Sequence, residues 1–295
     1  MRIKKMQKLL ILLVVCLIGS GQYAQISFEK TITLSNSSTK SKGYAVIQTS
    51  DQGFAIAAED DAGGNHGVLI RTNAYGDNLW TKSLNGIFFD IRQTADGGYG
   101  FADVADYSQY KFSKIFLVRT DGDGTVLWTQ KYGDTHYYLG RSMFQYTDGG
   151  FIICGYDRTM PSGGESSLCL AKTSSEGTLE WMRSYHKSFS ESGMVVMPTD
   201  ETRFLAVGTT GESLFISLYL VLTDSVGDTI WTKTISVRQP GNALSATTVA
   251  QGGYLLAATV ADTVSNSNNI QLIRINDNGD TLWTRQVGSL GHEYV

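Results

Sequence analysis

Four histidines, His66, His136, His186 and His292, are the side chains of this sequence best suited to move a proton near neutrality. Tyr107, Tyr110, Tyr137, Tyr138 and Tyr156 fall in the same kind of polar stretch, with Arg158 close by. Rings of this type stack on a sugar or a peptide side chain, and a histidine with carboxylates in reach runs general acid–base chemistry. The candidate ligand-binding residues are therefore Tyr107, Tyr110, His136, Tyr137, Tyr138, Tyr156, Arg158 and His186. No His-x-His or comparable close ligand spacing occurs, so no metal site is assigned. Asp121-x-Asp123 and Asp277-x-x-Asp280 lack the further oxygens and the closing Glu of a calcium loop. Asp, Asn and Gly are also what a tight hairpin turn uses, and that is the reading taken. Gly-x-Ser-x-Gly, Walker and His-Glu-x-x-His patterns are all missing, so no catalytic residue and no cofactor is assigned.

What must position these side chains is a repeat. Glycine precedes tryptophan by four residues at Gly76/Trp80, Gly124/Trp128, Gly177/Trp181, Gly227/Trp231 and Gly279/Trp283, which uses every Trp in the chain. Successive Trp residues lie 48, 53, 50 and 52 apart, a period that points to propellers or arrays. In the third repeat, Arg141 to Thr147 and Phe151 to Gly155 flank Asp148-Gly149-Gly150, which reads as a hairpin. A polar loop from Asp157 to Ser167 leads to a second hairpin, Leu168 to Thr173 and Leu179 to Tyr185, turning at Ser174-Ser175-Glu176-Gly177. Each repeat is thus four antiparallel strands, A to D. Strand B opens on Phe54, Tyr99, Phe151, Phe204 or Tyr254, and strand D carries the Trp. The fold class is all-β, a β-propeller of four-stranded antiparallel blades, with Trp and the strand B ring packed between blades.

The strand, turn and Gly-x-x-x-Trp together resemble the docking motif of pyrroloquinoline-quinone-like propeller repeats. Units with Asp-Gly-Gly-Tyr turns look like the propellers of exported proteins associated with type IX secretion. The resemblance covers residues 26–291 and implies an exported propeller. It does not imply the quinone. The quinone-type repeat commonly has Asp four residues before the motif glycine, where this chain has Thr72, Thr120, Thr173, Thr223 and Ile275, and no two cysteines are adjacent. The sialidase-type Asp-box spaces its glycine three residues before Trp, not four.

Phe28-Glu29-Lys30-Thr31-Ile32 is a degenerate copy of Trp231-Thr232-Lys233-Thr234-Ile235, so a lone strand D precedes five complete repeats. Gly291 to Val295 reads as the opening of another strand A, a truncated repeat that suggests a fragment of a longer protein. Residues 1–24 have the charged, apolar, small-residue order of a secretory signal, leaving 25–295 as one propeller domain. Leu13-Val14-Val15-Cys16 loosely resembles a lipobox, though Val15 is too large for its place. Losing the four cations of that segment moves the formal charge from −4 to −8, with 20 Lys and Arg against 28 Asp and Glu. An acidic surface argues against nucleic acid, and no second apolar stretch reaches membrane length. The expected location is secreted, periplasmic or cell-surface. Cys154 and Cys169, on neighbouring strands, are either a cross-strand disulfide or two buried thiols.

The A–B and C–D turns are short and stereotyped, whereas the B–C loops and D–A connections at the opposite end vary. All four histidines and the named tyrosines fall in or beside that second set. Variable loops on a rigid scaffold are where binding concentrates. The expectation is a non-catalytic exported scaffold that binds a protein or glycan through this face. The alternative is a hydrolase or lyase using scattered carboxylates with His136 or His186, which would place two carboxylates and a His within reach of one another.

Overall fold

The structure, a computed structural model, describes residues 9–11, 29–32, 34, 41–60, 66–105, 113–134, 136–158, 165–188, 190–212, 215–237, 240–262 and 267–288. Among them are 22 strands and no helix. Two short strands, β1 (Leu9–Ile11) and β2 (Lys30–Ile32), pair with each other. Blade one is β3 (Ser41–Gln48), β4 (Phe54–Asp60), β5 (His66–Thr72) and β6 (Asn78–Asn85). Blade two is β7 (Phe88–Gln93), β8 (Tyr99–Ala105), β9 (Lys114–Thr120) and β10 (Val126–Tyr132). Blade three is β11 (Tyr137–Gln145), β12 (Phe151–Arg158), β13 (Ser166–Thr173) and β14 (Leu179–Tyr185). Blade four is β15 (Glu191–Pro198), β16 (Arg203–Glu212), β17 (Phe215–Asp224) and β18 (Thr229–Ser236). Blade five is β19 (Pro240–Thr248), β20 (Tyr254–Asp262), β21 (Ser267–Ile275) and β22 (Thr281–Val287). These are the five four-stranded antiparallel repeats expected of a β-propeller.

Two compact units divide the chain, residues 1–103 with 118–129 and residues 104–117 with 130–295. Within the first, β3 lies beside β7; within the second, β11 lies beside β15 and β15 beside β19. The strand B rings are the centre of the packing. Phe54, Tyr99, Phe151, Phe204 and Tyr254 are each no more than 6% exposed.

Each C–D hairpin turns on the motif glycine in the left-handed region, with φ of 77°, 77°, 79°, 84° and 78° along the five repeats. A glycine bears this conformation without the Cβ penalty other residues incur. The residue three before it caps the turn. Asp121 Oδ1 accepts from the backbone N–H of Asp123 (3.0 Å) and of Thr125 (2.8 Å), and Asn276 Oδ1 accepts from Asn278 and Asp280 in the same way. Asp121 therefore serves the turn, as its composition suggested.

The tryptophans are less enclosed than expected. Trp80, Trp128, Trp181 and Trp231 are half-buried and Trp283 is 45% exposed. The reason is that the ring sits at the edge of the apolar core, as Trp181 and Trp231 do, and lies against the next repeat's turn. A Cβ on Gly124 would sit 3.0 Å from the Trp80 ring, and one on Gly227 or Gly279 would sit 2.9 Å from Trp181 or Trp231. The same junction carries a charge pair. Lys233 reaches Asp280 at 2.8 Å, and Lys30 of β2 reaches Asp77 at 2.8 Å across the same sequence separation of 47. That equivalence gives the N-terminal strand the part of a strand D.

A second recurring element was not read from the sequence. Strand C carries a cation one residue before its end, buried at Arg71, Arg119 and Lys172 and half-buried at Arg274, and the first two clamp the A–B turn aspartates Asp51 and Asp96. Arg71 Nε also donates to the Tyr99 hydroxyl of the next blade at 2.9 Å. In blade four, Leu222 stands in the cation's place and Arg203 pairs with Asp200 from within the turn. Thr49 and Thr94 hydroxyls, with the arginines, hold Asp51 and Asp96 below the usual carboxylate range, and Arg203 holds Asp200 down to about 2. Carboxylates lowered by folding contribute stability that is present above the unfolded value of ~3.9 and is lost as pH falls through the folded values. The thermal midpoint is expected to fall between about pH 4 and pH 2, and more shallowly in Asp51→Asn/Asp96→Asn, measured by calorimetry across that window.

Cys154 and Cys169 are free and fully buried. In the β12–β13 register Cys154 faces Leu170 and Cys169 faces Gly155, so the two are diagonal and not opposed. Burial pushes both thiols up, which leaves them small hydrophobes and not nucleophiles.

Candidate functional site

Antiparallel order puts the A–B and C–D turns of a blade at one end and its B–C and D–A connections at the other. At the turn end Asp51, Asp96, Asp121, Asp200 and Asp224 are engaged in clamps and caps. At the opposite end, residues 106–112 and 159–164 lie outside the described residues, Tyr107 and Tyr110 among them, as does His292. His66 opens β5 opposite Asp60. The remaining candidates fall in the second unit.

Five of them lie in or beside blade three. Tyr137 at the start of β11 stacks on Tyr156 near the end of β12, with ring centroids 6.1 Å apart and planes 22° off parallel. Both rings are half-buried, and Arg158, directly opposite Tyr137 in the ladder, is exposed. His136 stacks on Tyr138 at 6.0 Å. Tyr138, expected in an exposed connection, is only 6% exposed and donates its hydroxyl to Asp134 at 3.1 Å. Burial, with the Asp134 carboxylate beside it, pushes its phenol well up. Alternation along β11 explains the difference: Tyr137 and Tyr138 point to opposite faces, and the face of Tyr138 is a packed one.

His186 is held where blades three and four meet. It follows Tyr185, whose buried hydroxyl donates to the Gly227 carbonyl at 2.6 Å and fixes the end of β14. Its Nδ1 is 3.2 Å from Glu191 Oε2 and its Nε2 is 3.4 Å from Glu165 Oε2, so one imidazole lies between two carboxylates. The Ser167 hydroxyl lies 3.5 Å from Nδ1. Glu191 is 0% exposed while His186 is 47% exposed at the side chain. The Ser188 N–H (2.7 Å), the Ser188 hydroxyl (3.1 Å) and the Thr210 hydroxyl (2.8 Å) all donate to Glu191 Oε1. Oε2 makes no hydrogen bond among the described residues. The Ser166 hydroxyl donates to the Glu191 carbonyl at 2.9 Å, and Ser166 stands opposite Arg158 in the β12–β13 ladder. The stacked tyrosines, Arg158, Ser166 and Glu191 are therefore neighbours along one junction. No hydrogen bond, ion pair or ring contact joins His136 to His186 among the described residues.

Glu165, Glu191, Ser166, Ser188 and Thr210 were not singled out in the sequence. One signal was there. Ser188-x-x-Glu191 has the spacing by which a carboxylate folds back onto a backbone N–H in a capping box, and here it does so without a helix.

No protein-family model and no curated protein matches the chain. Solved structures do. The GH93 α-L-arabinofuranosidase of Fusarium graminearum, in complex with arabinobiose, aligns with a TM-score of 0.58 at 9% identity, over 86% of this chain and 82% of that one. The α-L-arabinanase of Penicillium chrysogenum, also complexed with arabinobiose, aligns at 0.56 with 10% identity over the same shares. The Pan2 WD40 domain of Neurospora crassa aligns at 0.52 with 8% identity, over 82% of this chain and 65% of that one, so the chain spans less than two thirds of that relative. At such identities the likeness establishes the β-propeller fold and nothing of the chemistry carried on it.

Proposed function

We propose that this chain is a non-catalytic binding scaffold that takes a glycan or protein ligand on its B–C and D–A connections, at blades three and four. The observation that carries this reading is the half-buried Tyr137–Tyr156 stack beside exposed Arg158, at the B–C end of blade three. Paired rings of that kind offer a large, stiff contact area at little cost in conformational entropy. Export as a secreted, periplasmic or cell-surface protein rests on the order of residues 1–24 and on the resemblance to type IX-associated repeats. The test is Tyr137→Ala/Tyr156→Ala. With a ligand recovered from a glycan array or pull-down, the double variant is expected to lose about 2 kcal/mol or more of binding. Its melting temperature should move much less than a core truncation would move it. Unchanged affinity in the folded variant would refute the assignment.

A second reading has its own support. His186 within 3.4 Å of two carboxylates is the grouping a general acid–base hydrolase or lyase needs, and structures named for arabinan-cleaving enzymes share the fold. Turnover of arabino-oligosaccharides that vanishes in His186→Ala would favour it over pure binding.

A further inference from the structure

We infer that Glu191 is the recognition carboxylate for an amino group, and that the glycan taken by this face is one built of sugars with a free amine. The inference rests on the loop-face glycan reading above and adds the chemistry of its ligand. Glu191 is fully buried, three donors fix its Oε1, and its Oε2 is left without a hydrogen bond among the described residues. A buried carboxylate of this kind is costly unless a cation compensates it. Among the described residues the only ion-pair partner of Glu191 is His186, itself half exposed. Lys187 is turned away, donating to Thr234 and lying over the Tyr219 ring. His186 thus covers Oε2 from the solvent side, and a ligand ammonium that takes its place supplies a fixed charge with three donors.

The surroundings fit that ligand and not an acidic one. Glu165 is the second carboxylate at His186, Arg158 is the one exposed cation among the described residues of the β12–β13 ladder, and the sequence after residue 24 carries a formal charge of −8. Tyr137 and Tyr156, on the ladder whose Ser166 donates to the Glu191 backbone carbonyl, offer a ring face for the apolar face of a pyranose.

Calorimetric titration of the purified chain with a glucosamine oligomer, its N-acetylated counterpart and an oligolysine peptide tests this. The free-amine oligomer is expected to bind about tenfold or more tighter than the acetylated one, the range of a charge-assisted hydrogen bond, and tighter than oligolysine. Glu191→Gln, which keeps an acceptor for Ser188 and Thr210, should erase the preference. If Glu191→Gln does not fold, His186→Ala decides: it removes the competing imidazole from an exposed position and should tighten binding of the amine. Equal binding of the free and acetylated oligomers would overturn the inference while leaving the loop-face reading intact. Weaker amine binding in His186→Ala, or oligolysine preferred to the sugar, would overturn it as well. Loss of all glycan binding only in Tyr137→Ala/Tyr156→Ala bears on the loop-face reading instead.

Discussion

Phe204→Ala is expected to destabilise the chain by about 3–5 kcal/mol, the cost of truncating a large aromatic in a filled core. Phe204 is the second residue of β16 and is 0% exposed. Its ring meets Tyr146 at 4.9 Å and Trp181 at 6.4 Å, so it joins blade three to blade four through both the A–B end and the motif tryptophan. Around it Ile152, Cys154, Leu170, Val196, Ala206 and Val221 form one buried cluster, and none of these short side chains refills the space of a phenyl ring. Differential scanning calorimetry should show a drop of about 10 °C, given ~2–4 °C per kcal/mol for a domain of this size. A midpoint within about 1 °C of the parent would mean that the interblade core is not where the stability lies.

Gly155→Ala should be nearly as severe, for a different reason. A Cβ there would sit 1.7 Å from the Leu139 carbonyl oxygen and 2.8 Å from its carbon, and both are backbone atoms of the paired strand. The strands approach this closely because β11 carries a bulge between Gly140 and Ser142, and Gly140 stands opposite Gly155. The methyl group is accommodated only by parting the ladder, at a cost of about 3 kcal/mol or more. Gly43, at the bulge of β3, has nothing within 4 Å of its Cβ position and is exposed, so Gly43→Ala should be within about 0.5 kcal/mol of neutral. Urea unfolding of the two variants side by side separates close backbone approach from a general dislike of alanine in these strands. Equal losses in both would contradict the account.

How much of this was legible follows from what each residue does locally. The Gly-x-x-x-Trp spacing and the aspartate-rich turns act over a few residues, through a left-handed glycine and side-chain-capped hairpins, so the sequence displays them directly. The strand B rings are legible for the same reason, since each follows a turn at a fixed distance. The exposure of the tryptophans was not, because it depends on how the next repeat's turn lies across the ring. Arg71 and Arg119 hide inside apolar strands, and their role becomes visible only when the strand C end is seen beside the A–B turn. Tyr138 shares its local sequence with Tyr137, and only the pleat of β11 separates a packing residue from a surface one. Glu191 lies between two serines at the start of β15 and its local sequence gives no sign of burial; its environment is made by β13, β16 and His186 just past β14.

The central claim is that the B–C and D–A end of blades three and four is where a ligand sits, while the turn end is structural. Amide hydrogen exchange with and without a bound glycan or protein ligand addresses it most directly, because it reports on every strand of the fold at once. Protection is expected to rise in residues 136–140, 154–158, 165–169 and 185–192, which hold the tyrosine stack and the His186–Glu191 pair. It should leave the hairpin turns at 73–77, 121–125, 174–178 and 224–228 unchanged. Ligand-dependent protection confined to those turns, with none across the first set, would contradict the account.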